Sequence, residues 1–262
     1  MKKAFITGGT GFLGINLIEE LAEKEWEITI RHLPGDDPQE LSHFNIVCTA
    51  GDILDYESLL KAMPGGEVVI VFHLAGDTTM WPRQAERQYR INVLGTADIC
   101  RASMERGIGR LIHTPSSSAF GFHSEQICER TVSNALTSKM NYNKTKYLAE
   151  QEVKKAVNYL LRGVEASFRE IFVEIYKLLN KRLSLKVLSA GKLRTAMYGM
   201  RIKALYNGKE PLITWPKYKR LTGNLFCDDS KARMELNFTT TSIGEMLSDC
   251  RDWLRKEGRI SD

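Results

Sequence analysis

Thr7-Gly8-Gly9-Thr10-Gly11-Phe12-Leu13-Gly14 closes the short apolar run Ala4–Thr7 near the start of the chain. Glycines at 8, 11 and 14 keep a G-x-x-G-x-x-G spacing, and a helical pattern begins inside the turn. Gly8 permits a tight turn, Gly11 lets the backbone approach a pyrophosphate, and Gly14 lets a helix pack close to the strand. The free N–H groups of the first helical turn then meet phosphate at the positive end of the helix dipole. A glycine turn by itself has a purely structural alternative. Strand, turn and helix in this order predict a dinucleotide cradle built from Gly8, Thr10, Gly11, Phe12, Leu13 and Gly14.

Outward from this turn, short apolar runs alternate with amphipathic stretches, the rhythm of β-α units on a parallel sheet. Strands are expected at Ala4–Thr7, Glu27–Arg31, Ile46–Thr49, Val68–His73 and Arg110–Thr114, and helices at Gly11–Lys24, Tyr56–Ala62, Gln84–Arg106 and Met140–Leu161. The fold class read from this is α/β, a doubly wound parallel sheet of the dinucleotide-binding Rossmann type. After Arg162-Gly163 the rhythm breaks. No sixth strand is evident, and helical patterns follow at Phe168–Leu179, Lys192–Tyr206 and Ile243–Lys256, with loops around Pro211, Pro216 and Gly223. The expected domains are 1–163, binding the dinucleotide, and 164–262, a smaller and mainly helical substrate-side part.

The 262 residues are 43% hydrophobic and 26% charged, with a formal net charge of +5. That apolar fraction supports a packed core and excludes disorder as the main state. No apolar run approaches the roughly 18–20 residues of a membrane-spanning helix, and no secretory signal pattern opens the chain. Five scattered cysteines without a C-x-x-C pair argue against a disulfide framework and against a metal site, and fit a reducing, cytoplasmic setting. The segment Lys177–Arg220 holds twelve Lys/Arg and one acid, Glu210. A packed helix with a solvated basic face is the expected reading. Contact with a membrane surface comes second, and nucleic-acid binding is not expected, because no recognition motif accompanies the charge.

Two further constellations carry chemistry. The second strand ends Ile30-Arg31-His32, where an acid would accept a hydrogen bond from the ribose 2′-OH of NAD. A guanidinium pairs instead with a 2′-phosphate, so Arg31 predicts NADP over NAD; an exposed arginine at a strand end is the bland alternative. Tyr142 and Lys146 stand at i and i+4 on one helix face. An ammonium one turn from a phenol stabilises the phenolate, so the pair can pass a proton to a carbonyl or take one from an alcohol. Upstream, the fifth strand runs into Thr114-Pro115-Ser116-Ser117-Ser118, where a hydroxyl can polarise a substrate carbonyl.

These motifs occur together with Gly51-Asp52-Ile53, Phe72-His73-Leu74-Ala75-Gly76, Asn92-Val93-Leu94-Gly95-Thr96 and Ser116–Gly121. Lys231–Leu236 follows, before a last helix containing Trp253-Leu254. In this order the chain resembles an extended short-chain dehydrogenase/reductase of the NAD-dependent epimerase/dehydratase superfamily. It is most similar to the dihydroflavonol-reductase-like and 3β-hydroxysteroid-dehydrogenase-like branches. The resemblance implies that Asp52 reaches the adenine amine and Ile53 offers its backbone, while Leu74, Ala75 and Gly76 line the cofactor. Asn92 would order the adjacent helix or a water, with an internal helix hydrogen bond as the alternative. Ser116 would be the catalytic hydroxyl, with Ser118 as runner-up; Tyr142 would transfer the proton and Lys146 would also hold the nicotinamide ribose. A homodimer and a small carbonyl or alcohol substrate are likewise implied.

The chain departs from the family pattern at Pro115, which stands in place of a usual Ser or Thr and removes a backbone N–H. It also lacks the sixth and seventh strand region near Gly163, which in the family shapes part of the substrate pocket. The expected function is therefore an NADP(H)-dependent oxidoreductase using Ser116, Tyr142 and Lys146. The alternatives are a catalytically weak dinucleotide-binding regulatory or scaffold protein and a nucleotide-sugar epimerase.

Overall fold

The structure, a computed structural model, describes residues 2–153, 161, 163–164, 166–180, 188–222, 227–256 and 258–260. They form two compact units, Met1–Phe122 with Val132–Ala156, and His123–Thr131 with Val157–Asp262.

The first unit begins β1 (Lys3–Thr7), α1 (Phe12–Glu23), β2 (Glu27–His32), β3 (Val47–Ala50), α2 (Tyr56–Ala62) and β4 (Val69–His73). It continues α3 (Ala85–Tyr89), α4 (Gly95–Glu105), β5 (Arg110–His113) and α5 (Asn141–Glu152). All five strands are parallel, in the order β3-β2-β1-β4-β5. The chain moves outward from β1 to β3 and then returns past β1 to β4. That reversal leaves a crevice at the carboxyl ends of β1 and β4, where α/β sheets take their ligands.

Alternation along β1 explains the two cores. Phe5 faces one side with Leu59, Met63, Val69, Val71, Ile99 and Ala102. Ala4 and Ile6 face the other with Ile18, Leu21, Ile28, Ile30 and Leu41. A strand apolar on both faces can lie only inside a covered sheet, so β1 takes the centre.

The expected strands and the first two helices recur with small shifts at their ends. The segment expected as one regular helix over Gln84–Arg106 is helical but not regular. Between α3 and α4 it widens into a π-helical turn, Arg90–Leu94. Such one-residue insertions rephase a helix and often stand at functional sites. The Met140–Leu161 helix is seen as α5 up to Glu152, and residues 154–160 lie outside the described residues.

The second unit contains α6 (Phe168–Leu178), α7 (Ala190–Asn207), α8 (Trp215–Thr222), α9 (Ser230–Leu236) and α10 (Ile243–Lys256). A reciprocal Ser167–Glu170 capping box starts α6. The expected loop around Pro216 is instead helix α8. Proline suits a first turn, whose N–H groups lack intrahelical partners in any case. The loop expected at Gly223 lies outside the described residues. Among the described residues of this unit the one strand-like pairing is the isolated bridge Ile127↔Cys227, which brings His123–Thr131 into it. The basic helix α7 buries only Met197, and Tyr198, Ile202, Leu205 and Tyr206 are exposed along it.

Within the glycine turn the closest packing is at Gly14, where an added Cβ would lie 2.3 Å from the Gly8 carbonyl oxygen. The same addition at Gly11 meets only that oxygen, at 3.3 Å. Gly14→Ala is expected to lose about 1–3 kcal/mol through overpacking, and Gly11→Ala far less. Urea unfolding of the two variants checks the difference.

Candidate active site

Gly8 has φ +74°, and a Cβ there would sit 2.8 Å from the Ala75 nitrogen, so backbone meets backbone between the β1 turn and the end of β4. The Gly11 N–H donates to the Gly8 carbonyl at 3.1 Å, and the outer side of Gly11 is open. Gly11 caps α1 without any side-chain hydrogen bond, and the first turn holds no acid. The helix therefore offers uncompensated N–H groups and positive dipole at the crevice, which fits a phosphate. Phe12 and Leu13 expose their side chains, so the main chain is what they bring to the cradle. Thr10 Oγ1 donates to Asp36 Oδ2 at 3.1 Å, an acid on the loop after β2 that the sequence reading did not single out.

On the adenosine side, Asp52 Oδ1 accepts the Leu54 N–H at 3.0 Å. The Ile53 side chain is buried in the core beside Gly95, where an added Cβ would approach it to 2.6 Å. Arg31, at the end of β2, is 3% exposed. Its Nη1 donates to the Ala50 carbonyl at 3.0 Å, and its Nη2 donates to Ser58 Oγ at 2.7 Å and to the Asp52 carbonyl at 3.4 Å. Burial pushes its pKa down, while Asp55 and Asp52 pull the other way. The guanidinium is thus turned inward and engaged, which sets aside the alternative of an exposed arginine at a strand end.

The other half of the crevice is organised by Asn92, buried in the wide turn. Its Oδ1 accepts the Asp77 N–H at 2.7 Å, and its Nδ2 donates to the Asp77 carbonyl at 3.0 Å and to Thr145 Oγ1 at 3.2 Å. The alternative of a bond within its own helix is thereby replaced by a bridge to α5. Thr145 Oγ1 in turn donates to the Tyr142 carbonyl at 3.1 Å. Lys146 follows directly, with Nζ 5.9 Å from the centre of the Tyr142 ring. A Cβ on Gly76 would lie 3.2 Å from that Nζ and 3.3 Å from Asn92 Oδ1, so a larger residue there would crowd both groups. Leu74 continues from β4, its N–H donating to the Thr7 carbonyl at 3.1 Å. Tyr142 and Lys146 are both buried. Ser116 Oγ accepts the Ser118 N–H at 3.2 Å and so caps the short turn Ser117–Phe120, which packs on α5. Ser118, the runner-up, is the more buried of the two serines.

Several polar residues inside the quoted motifs had no role assigned from the sequence. Thr96 Oγ1 donates to the Asn92 carbonyl at 2.7 Å and so accepts from His73 Nε2 at 2.9 Å. His73 Nδ1 then accepts from Thr7 Oγ1 at 2.7 Å, which assigns a neutral tautomer. Burial holds His73 well below the usual histidine range. His113 stacks on it at 5.1 Å, and both its ring nitrogens are buried without a partner. Burial first, and Lys146 second, push His113 down to about 4. Burial lowers Lys146 against the pull of Glu150, and burial raises Glu150 to about 7.

A parallel sheet in this order, a glycine cradle after β1, and a Tyr–Lys pair one turn apart on the helix after β5 define an extended short-chain dehydrogenase/reductase. The chain belongs to the 3-beta hydroxysteroid dehydrogenase/isomerase family, which it matches over residues 5–172. It is 30% identical over 155 residues to sterol-4-alpha-carboxylate 3-dehydrogenase, decarboxylating, of Mus musculus, covering 58% of this chain and 40% of that protein. It is 27% identical over 158 residues to a 3-beta-hydroxysteroid dehydrogenase of Mycolicibacterium neoaurum, covering 58% and 42%. These matches thus span about two fifths of the relatives' own length. Among solved structures, gox2253 superposes with TM-score 0.78 at 20% identity over 100% of both chains. A nucleoside-diphosphate-sugar epimerase from Pseudomonas aeruginosa gives 0.73 at 17% over 99% of both. The Bordetella bronchiseptica enzyme WbmH, solved with NAD+, gives 0.66 at 15% over 98% of this chain and 100% of that one. At these identities the structures share the fold. No described helix is long and apolar enough to cross a membrane.

Two half-buried groups give opposite pH dependences. His113 is depressed when folded, so its contribution to stability is complete above about pH 6.5 and is lost as the pH falls through about 4. Glu150 is raised, so its contribution is complete below about pH 4.5 and is lost as the pH rises through about 7. His113→Phe, which keeps a ring beside His73, is expected to gain roughly 1–3 kcal/mol relative to wild type at pH 4. Glu150→Gln is expected to raise the Tm at pH 8 and to change it little at pH 4. Unfolding curves across pH 4–8 check both.

Proposed function

We propose that this chain carries the cofactor-binding and proton-transfer half of an oxidoreductase acting between a carbonyl and an alcohol. The observation that carries the reading is the Asn92–Thr145 bridge, which places Lys146 Nζ beside Gly76 and one helical turn from Tyr142. In this reading the α1 N-terminus holds the pyrophosphate, Asp52 and the Ile53 backbone meet the adenine, and Leu74, Ala75 and Gly76 line the dinucleotide. Lys146 holds the nicotinamide ribose. The bound dinucleotide supplies or accepts the hydride.

The remaining chemistry belongs to the chain. Tyr142 gives a proton to the carbonyl oxygen, or takes one from the alcohol, and the Lys146 ammonium stabilises negative charge on the phenol oxygen. Ser116 Oγ accepts from the Ser118 N–H, so its own hydroxyl proton remains to polarise the substrate carbonyl. The family resemblance supports a homodimer as the assembly. A catalytically weak dinucleotide-binding protein is the second reading. It is favoured by the absence of any strand after β5 in the five-stranded sheet of the described residues.

For the cofactor we propose NADP(H), since neither Arg31 nor His32 would repel a 2′-phosphate and Arg31 brings a cation to the end of β2. NAD(H) is the second reading, and it draws support from the Thr10–Asp36 bond and the engagement of the Arg31 guanidinium.

Tyr142→Phe should leave the Kd for NADPH within about twofold and lower turnover by roughly 10²–10⁴-fold. Lys146→Met should weaken both, and Ser116→Ala should slow turnover more than Ser118→Ala. The assay follows NADPH consumption with aryl ketones, flavanonols, ketosteroids and small aldehydes. Turnover untouched by Tyr142→Phe would sink the mechanism, and tighter binding of NADH than of NADPH would reverse the cofactor assignment. Cofactor binding with no turnover across the panel would favour the second reading.

A further inference from the structure

Arg31 pairs with Thr7 in the sheet register, so its side chain leaves β2 beside the β1 turn that forms the phosphate cradle. The β3–α2 loop wraps the guanidinium so closely that a Cβ on Gly51 would lie within 1.9 Å of Nη2. All three of its acceptors are neutral, namely the Ala50 and Asp52 carbonyls and Ser58 Oγ. The Nε–H is buried and has no partner. This is an incompletely satisfied cation. A phosphate dianion would offer opposite charge and several acceptor oxygens in the bidentate geometry a guanidinium favours.

Of the three bonds, the one to Ser58 is the shortest at 2.7 Å and the only one to a side chain. The hydroxyl has no part in capping α2. That cap runs from the Ser58 backbone N–H to Asp55 Oδ1 at 3.2 Å. Ser58 Oγ can therefore be removed while the helix start is kept.

We propose that Ser58 sets the strength of the preference for NADPH over NADH by competing with the adenosine 2′-phosphate for the Arg31 guanidinium. The proposal rests on the NADP(H) reading above. In the structure as it stands Ser58 holds the guanidinium against the β3–α2 loop. A 2′-phosphate must draw it away from that hydroxyl, and the competition lowers the apparent affinity for NADPH. NADH has no such group, leaves Arg31 in place, and is indifferent to Ser58.

The test measures Kd for NADPH and for NADH by quenching of tryptophan fluorescence, using the purified full chain. Ser58→Ala should tighten NADPH by about three- to tenfold, the equivalent of one ordinary hydrogen bond, and leave NADH within about twofold. Ser58→Thr, which keeps an acceptor hydroxyl, should retain the wild-type ratio. In an Arg31→Met background Ser58→Ala should change nothing, since the two residues act as a pair. Equal shifts for both cofactors, or a shift that persists without Arg31, would overturn the proposal. Wild type preferring NADH defeats the cofactor reading alone, provided Ser58→Ala still moves the ratio toward NADPH through Arg31. An unmoved ratio defeats the competition whichever cofactor wild type prefers.

Discussion

The side-chain amide of Asn92 meets both polar groups of the Asp77 peptide and the hydroxyl of Thr145, and the crevice takes its shape from that contact. One buried group thereby joins the helix after β4, the loop leaving β4 and the helix that carries Tyr142 and Lys146. Gln88 reinforces the same junction, its Nε2 donating to the Thr79 carbonyl at 2.6 Å and its Oε1 accepting from Asn141 at 2.9 Å. Buried donors and acceptors left without partners cost about 1–3 kcal/mol each, so these bonds are stabilising chiefly because each is completed. The result is a fixed distance between the sheet and α5. A proton-transfer group on a helix acts reproducibly only when that distance is set.

Electrostatics around this junction is spare. Lys146 is buried, its neighbours His73 and His113 are held neutral, and Glu150 is pushed toward neutrality. In such surroundings a charge interacts strongly, because little solvent or counter-charge screens it. The arrangement discourages a second cation beside Lys146 and leaves its charge directed toward the crevice. Thr7, His73 and Thr96 form a hydrogen-bonded line that ties β1, β4 and α4 without adding any charge.

Much of this was readable beforehand, and the limits have physical causes. The turn at Gly8, Gly11 and Gly14 was legible because close backbone contacts admit few residues, and the structure shows such contacts at Gly8 and Gly14. Tyr142 and Lys146 followed from helical spacing. The fate of Arg31 was not legible, because strand alternation does not say whether a long cation reaches solvent or folds back onto carbonyls. Its signal was Gly51, whose lack of a side chain makes room for the guanidinium. Pro216 does not by itself distinguish a loop from the start of α8, since proline marks both a helix start and a break. The bonds of Asn92 depend on a tertiary neighbour more than fifty positions away, a separation that local periodicity cannot sense.

The π-helical turn Arg90–Leu94 has a consequence for how this segment can change. Gln88, Asn92 and Thr96 recur every four residues and all are buried. An ordinary α-helix advances about 40° beyond a full turn over four residues, so three such positions would drift around its surface. The wider turn reduces that drift and acts as a phase corrector between α3 and α4. Loss of one residue there would turn everything downstream by about 100°. Ile99 and Ala102 would leave the sheet, and Thr96 would leave His73. The segment can accept changes of side chain, but its length is quantised.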